Sequence, residues 1–178
     1  MKDNIFITGF MGTGKTTVSD VLARKIGKNL IDTDSMIESK EGKSIAEIFD
    51  NKGEMYFREI EKQILNEIIN KTNLVIATGG GTLLDEENYQ LALKNGIVIL
   101  LQASPHIIFS RLHKEYSRPL LAGENKLEKI IDLMNKRKNK YNRFKHCIDT
   151  SYITTNQVVD KIIQIYQREN NENNTTEI

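Results

Sequence analysis

The stretch Gly9-Phe10-Met11-Gly12-Thr13-Gly14-Lys15-Thr16 constrains this chain more than any other. It fits G-x-x-x-x-G-K-[ST], follows the β-type run Ile5 to Thr8, and opens a segment in which Val18, Val21, Leu22 and Ile26 recur at helical spacing. Strand, glycine loop and helix in that order make a cradle for phosphate. Glycines let backbone N–H groups converge on the oxygens, and the helix N-terminus adds positive partial charge. The alternative, a glycine-rich turn with an incidental lysine, is outweighed by the flanking strand and helix.

The rest of the chain repeats the alternation. Leu30 to Asp32, Leu74 to Ala77, Ile97 to Leu101 and Cys147 to Asp149 read as further strands, separated by longer helical-period segments. That order predicts an α/β fold of three layers, a five-stranded parallel sheet with helices on both faces. Helix boundaries are written locally. Gly27 stops the first helix, Ser44-Ile45-Ala46-Glu47 is a capping box, Asp85 caps a helix running to Lys94, and Ser104-Pro105 supplies a cap and a first-turn proline. After Gly53, Phe57, Ile60, Ile64 and Ile68 form one apolar stripe, and Leu127, Ile130, Ile131 and Met134 mark a later helix.

At 178 residues, 39% hydrophobic and 28% charged, the chain suits one domain, assigned to 1–167. From Arg168 to Ile178 the sequence turns to Asn, Glu and Thr, and this composition predicts a disordered tail over 168–178. The polar segment 113–126 holds Pro119 and Gly123 and reads as a long loop, functional or disordered.

Charge narrows the function. Lys+Arg 25 against Asp+Glu 24 leaves +1, so no global basic field draws the protein to nucleic acid or to an anionic membrane. The longest apolar run is far below membrane-span length, and the N-terminus lacks an apolar leader, so a cytoplasmic protein is expected. Cys147 stands alone, at no metal-ligand spacing with His106, His113 or His146, and is expected to be a buried structural thiol. The N-K-x-D base-reading run of a GTPase is absent, and so are the length and basic track of a helicase. Both fall behind a small-molecule kinase.

Three more clusters point the same way. Asp32-Thr33-Asp34 ends the second predicted strand, the edge where open α/β sheets bind ligands, with an Asx turn and helix cap as the alternative. Arg58 and Glu61 lie three apart on a helix, which alone would be a solvated salt bridge. Gly79-Gly80-Gly81 follow the third strand and let backbone approach a ligand.

Together with Arg118-Pro119-Leu120-Leu121 and with Arg137 followed by Tyr141, these motifs resemble the shikimate kinases in order and spacing over most of the chain. The resemblance implies a nucleoside-monophosphate-kinase-like fold, a helical shikimate-binding subdomain at 33–61 and a lid at 113–125. It implies ATP binding by Gly12, Thr13, Gly14, Lys15, Thr16, Thr17, Arg111 and Arg118, with Arg111 against adenine and Arg118 closing on the phosphates. Thr16 and Asp32 would hold Mg²⁺. Asp34 would orient or deprotonate the accepting hydroxyl, and Lys15, Asp34 and Arg118 would form the catalytic set. Arg58 and Arg137 would clamp the shikimate carboxylate with Gly79, Gly80 and Gly81, and Glu61 would fix Arg58. Alone, Arg118 would read as a surface arginine and Arg137 as part of the solvated run Lys136-Arg137-Lys138. Many relatives carry Arg and Pro in the loop after the last strand, where this chain reads Ser151-Tyr152-Ile153-Thr154-Thr155-Asn156, so adenine contacts there stay open.

The expected partners are ATP/ADP and shikimate, and the expected state is a monomer. A gluconate-type kinase is the enzymatic rival. A non-catalytic ATP-binding regulator is the other, but it should have lost one of Lys15, Asp32, Asp34 or Arg118, and all are present.

Overall fold

The structure is a computed structural model and describes residues 2–112 and 125–175. Strands β1 (Asn4–Gly9), β2 (Asn29–Asp32), β3 (Leu74–Ala77), β4 (Gly96–Gln102) and β5 (His146–Asp149) form one parallel sheet in the order β2-β3-β1-β4-β5. Ile5 pairs with Val75 on one side and Ile97 on the other, which puts β1 at the centre. The chain winds first towards β2 and β3 and then returns past β1 to β4 and β5. The carboxyl end of β1 is thus the switch point, where such sheets open a crevice for ligands.

Alternation along the strands sends side chains to both faces. Ile5 and Ile7 join Val75, Ile97, Ile99 and Leu101 under helices α1 (Lys15–Ile26) and α7 (Thr155–Thr175). Phe6, Ile76, Val98 and Leu100 point the other way, under the end of α3 (Ile45–Ile68), α4 (Glu86–Asn95) and the end of α6 (Lys126–Tyr141). The remaining helices are α2 (Thr33–Glu41) and α5 (Pro105–Leu112).

The predicted caps are where the sequence puts them. Gly27 takes φ 68° and donates to Ala23 O, Ser44 and Glu47 close a capping box, and the Asp85 side chain accepts from Asn88 N. Gly53, at φ 79°, breaks α3 where the apolar stripe begins. Before and after that break, α3 packs on α2 around Ile37, Ile48, Phe57, Ile60 and Ile64, giving the 33–61 region an apolar centre of its own.

Two expectations need correction. Residues 168–175 are not disordered, because α7 runs on to Thr175. Composition failed there since the polar residues have partners: Asn170 is buried and accepts from Lys2 N, and Glu169 meets Lys145 and His146. Residues 176–178 lie outside the described residues. Cys147 is exposed, not buried, because β5 is an edge strand and turns only His146 and Ile148 inward. Residues 113–124 of the expected lid, Arg118 included, lie outside the described residues. No helix among the described residues is long and apolar enough to cross a membrane.

Candidate active site

The phosphate loop runs straight from β1 into α1. Gly9 must be glycine: a Cβ there would lie 2.2 Å from Leu101 O of the neighbouring strand, at φ 148°. Gly12 and Gly14 adopt φ 76° and 92°, conformations an L side chain resists, and these turn the loop's N–H groups over the helix start. Thr13 is buried and its hydroxyl donates to Phe10 O at 2.7 Å, closing the loop on itself. Lys15 Nζ lies across the loop, donating to Gly9 O at 2.9 Å and Phe10 O at 3.2 Å. Thr17 is exposed on the first turn of α1.

Asp32 has two tasks. Its Oδ1 accepts from Asp34 N and Ser35 N and caps α2, while Oδ2 accepts from the Thr16 hydroxyl at 2.9 Å. The cap alternative therefore belongs to Asp32, and Asp34 sits in the first helical turn without that duty.

Beside Asp34, three glycines allow charged groups to converge. A Cβ on Gly79 would lie 2.4 Å from Glu61 Oε1 and 2.8 Å from Asp34 Oδ1, and one on Gly81 would lie 2.5 Å from Arg58 Nη1. Gly80 has Lys15 Nζ 3.8 Å from its Cβ position, and its carbonyl accepts from Arg137 Nη1 at 3.1 Å. Arg58 reaches Glu61 at 2.5 Å and Glu54 at 2.8 Å. Glu61 is 1% exposed, and burial pushes its carboxyl above the usual range, opposed by Arg58 and the Thr82 hydroxyl. Arg137 is buried, not part of a solvated face: its guanidinium lies 5.4 Å from the Phe10 ring centroid, whereas Lys136 and Lys138 are exposed.

Lys15, Thr16, Asp32, Asp34, Arg58, Glu61, Gly79, Gly80, Gly81 and Arg137 thus line one cleft of about 390 Å³, a size typical of small-molecule sites. Phe49 and Phe57 add apolar surface to it. Gly12, Thr13 and Gly14 of the loop and Thr17 of α1 stay outside that cleft. Arg111 lies on the opposite, β4–β5 side, donating to Gly12 O at 3.0 Å and Thr150 O at 2.7 Å and so tying the loop to the end of β5.

Three supporting residues escaped sequence reasoning. The Thr33 hydroxyl accepts from Gly79 N at 2.9 Å, the Thr82 hydroxyl donates to Glu61, and Glu54 holds Arg58. Only Glu54 had a signal, its i,i+4 spacing to Arg58.

The Asp32 and Thr16 oxygens are of the kind that Mg²⁺ takes. A hydroxyl and a carboxylate in contact at the phosphate loop are hard oxygen donors, and Mg²⁺ typically takes one or two such ligands and completes its shell with phosphate and water. Among the described residues no cluster of three or more His, Cys, Asp or Glu forms a metal cage.

The family model for shikimate kinase matches residues 11–167. A shikimate kinase of Thermodesulfovibrio yellowstonii is 44% identical over 94% of this chain and 97% of its own length. One from Caldanaerobacter subterraneus is 43% identical over 92% of this chain and 95% of its own. Among solved structures, shikimate kinase from Acinetobacter baumannii in complex with shikimate superposes with TM-score 0.89 at 35% identity, covering 94% of each chain. A gluconokinase from Sinorhizobium meliloti, at TM-score 0.61 and 13% identity, shares the fold alone. With the phosphate loop and cleft in place and the likeness spanning nearly the whole sequence, the chain belongs to the shikimate kinase family of ATP-dependent small-molecule kinases.

Proposed function

We propose that the protein transfers the γ-phosphoryl group of ATP to the 3-hydroxyl of shikimate, giving shikimate 3-phosphate and ADP. The observation that carries this reading is the convergence of Lys15, Asp34, Arg58 and Arg137 on one cleft, a phosphate cation and a carboxylate facing two guanidiniums. An acceptor with both hydroxyls and a carboxylate fits that set. Guanidinium forks match a planar carboxylate, so Arg58 and Arg137 take that end of the ring, which turns the hydroxyls towards Asp34. A nucleoside monophosphate would offer no carboxylate to the pair.

In the transfer, Asp34 accepts the hydroxyl proton, or fixes its hydrogen bond, as the new P–O bond forms. The bond from the γ-phosphorus to the β,γ-bridging oxygen breaks and ADP leaves. Lys15 swings from its loop carbonyls to the β- and γ-oxygens, and the loop N–H groups hold the rest of the phosphate chain. Thr16 and Asp32 would hold Mg²⁺, which when bound neutralises charge on those oxygens. Glu61 and Glu54 keep Arg58 aimed at the cleft. Arg111, on the β4–β5 side, and Arg118 are assigned to adenine and to the phosphates on the resemblance.

A coupled ADP-release assay across shikimate, quinate, gluconate and nucleoside monophosphates tests the assignment. Shikimate should give the highest kcat/KM. Gluconate or a monophosphate outperforming it would overturn the substrate. The same reading places a monomer in the cytoplasm, which gel filtration and cell fractionation check.

A further inference from the structure

A second cavity, of about 720 Å³, lies behind the two arginines and shares Arg58, Glu61, Gly81 and Arg137 with the cleft. One of its walls is α6, where Leu133, Lys136, Arg137 and Lys140 recur at three- and four-residue spacing and so share a face. The other walls come from α3 and from the turn that leads into α4.

Most charges around this cavity are already committed. Glu54 and Glu61 pair with Arg58, Lys62 pairs with Glu87, and Asp85 caps α4. Among the described residues, Lys136 and Lys140 have neither a hydrogen bond nor an ion pair, and Glu59, the remaining acid of the lining, acts electrostatically on Lys62 of its own helix. Arg137 spends Nη1 on Gly80 O, which leaves other N–H groups of the same guanidinium. The cavity therefore carries a surplus of cations on one wall, within reach of the arginine that also faces the first cleft.

The geometry points to a second anion site, in which Lys136, Lys140 and Arg137 bind a small phosphate-bearing molecule and thereby loosen the hold on the acceptor. Two compact ammonium charges beside a guanidinium suit a dianion better than a single carboxylate. Coupling follows from sharing: a ligand that draws Arg137 away from Gly80 O and Phe10 removes half of the carboxylate clamp. This coupling rests on the clamp assigned under the proposed function, whereas the binding itself does not.

The test uses inorganic phosphate as probe, with the full chain, saturating Mg·ADP over the phosphate loop and constant ionic strength. Line broadening of the phosphorus-31 signal reads binding directly. Lys136→Gln/Lys140→Gln should weaken that binding about tenfold or more, while Lys138→Gln, which removes a charge outside the cavity, should not. In turnover, phosphate should raise the wild-type KM for shikimate about fivefold, leave the KM for ATP unchanged, and have no such effect on the double variant. Without phosphate the double variant should match wild type in kcat and both KM values. Equal broadening in wild type and double variant, an equal loss in Lys138→Gln, or inhibition competitive with ATP in all forms would overturn the site and leave the lysines a solvated face. Should shikimate fail to drive ADP release, the proposed function falls, and the phosphorus-31 measurement still decides the second site.

Discussion

Eight consecutive residues, Gly9 to Thr16, make the phosphate loop that borders the cleft through Met11, Lys15 and Thr16, whereas the proposed acceptor side draws Asp34, Arg58, Gly79 to Gly81 and Arg137 from separate elements. The first is a backbone device. The hydrogen bonds that close it on itself are short-range, Thr13 to Phe10 and Lys15 to Gly9, with Arg111, Thr150 and Asp32 tying it to other elements, and its glycines answer to conformation and to the adjacent strand. The second is a side-chain device, whose glycines clear space for Glu61, Asp34 and Arg58. Damage to the phosphate side should therefore strike chemistry with either substrate bound, and damage to the acceptor side should be selective.

The largest expected effect is that of Asp34→Asn, which should lower kcat about 10² to 10⁴-fold. Asp32 caps α2, so melting temperature and ATP affinity should stay near wild type. A variant keeping more than half of the wild-type kcat would remove Asp34 from the proton transfer. Next comes Lys15→Ala, expected to cost about 10² to 10³ in kcat with the fold intact, since the Lys15 ammonium reaches loop carbonyls at the phosphate loop and no buried apolar core. Near-normal turnover would break the phosphate half of the comparison.

Arg58→Ala and Arg137→Ala should each raise the KM for shikimate about 10 to 100-fold, from about 1.5–3 kcal/mol per charged hydrogen bond, with little change for ATP. Equal effects on both substrates in steady-state kinetics would mean the two sides are not separable. Two glycine variants sharpen the contrast. Gly9→Ala drives a methyl into Leu101 O and should destabilise the whole fold by about 1–3 kcal/mol in denaturant titration, whereas Gly79→Ala should fall mainly on shikimate KM. The reverse pattern would exchange the two accounts.

The smallest effect concerns pH. Burial raises the Glu61 carboxyl above its ordinary 4.5, so the folded state holds that proton more tightly than the unfolded chain. Its contribution to stability is complete below the unfolded value and is lost as pH rises through the folded one. Glu61→Gln, which cannot ionise, should therefore gain melting temperature relative to wild type as pH is raised from 4 to 8, while losing affinity for shikimate as Arg58 is freed. A stability difference independent of pH would mean that Glu61 is not charged at a cost.

The sequence by itself determined the features whose physics is local. The phosphate loop, the strand positions, the Gly27 stop, the Ser44 capping box and the Gly53 break all follow from backbone conformation and short-range hydrogen bonds, which neighbouring residues write directly. Asp34 and the three glycines stood out by their place at strand ends, but the roles of Arg58 and Arg137 were legible only as a resemblance, since nothing about Arg137 in a basic run foretells its burial beside Phe10 and Gly80. Tertiary structure alone decided that Glu61 is buried, that Thr33 and Thr82 support the glycine turn, that Cys147 faces out from an edge strand, and that the polar end of α7 is ordered through Lys2, Lys145 and His146. Each of those outcomes depends on a partner distant in sequence, and composition cannot count a hydrogen bond whose other half lies on another element.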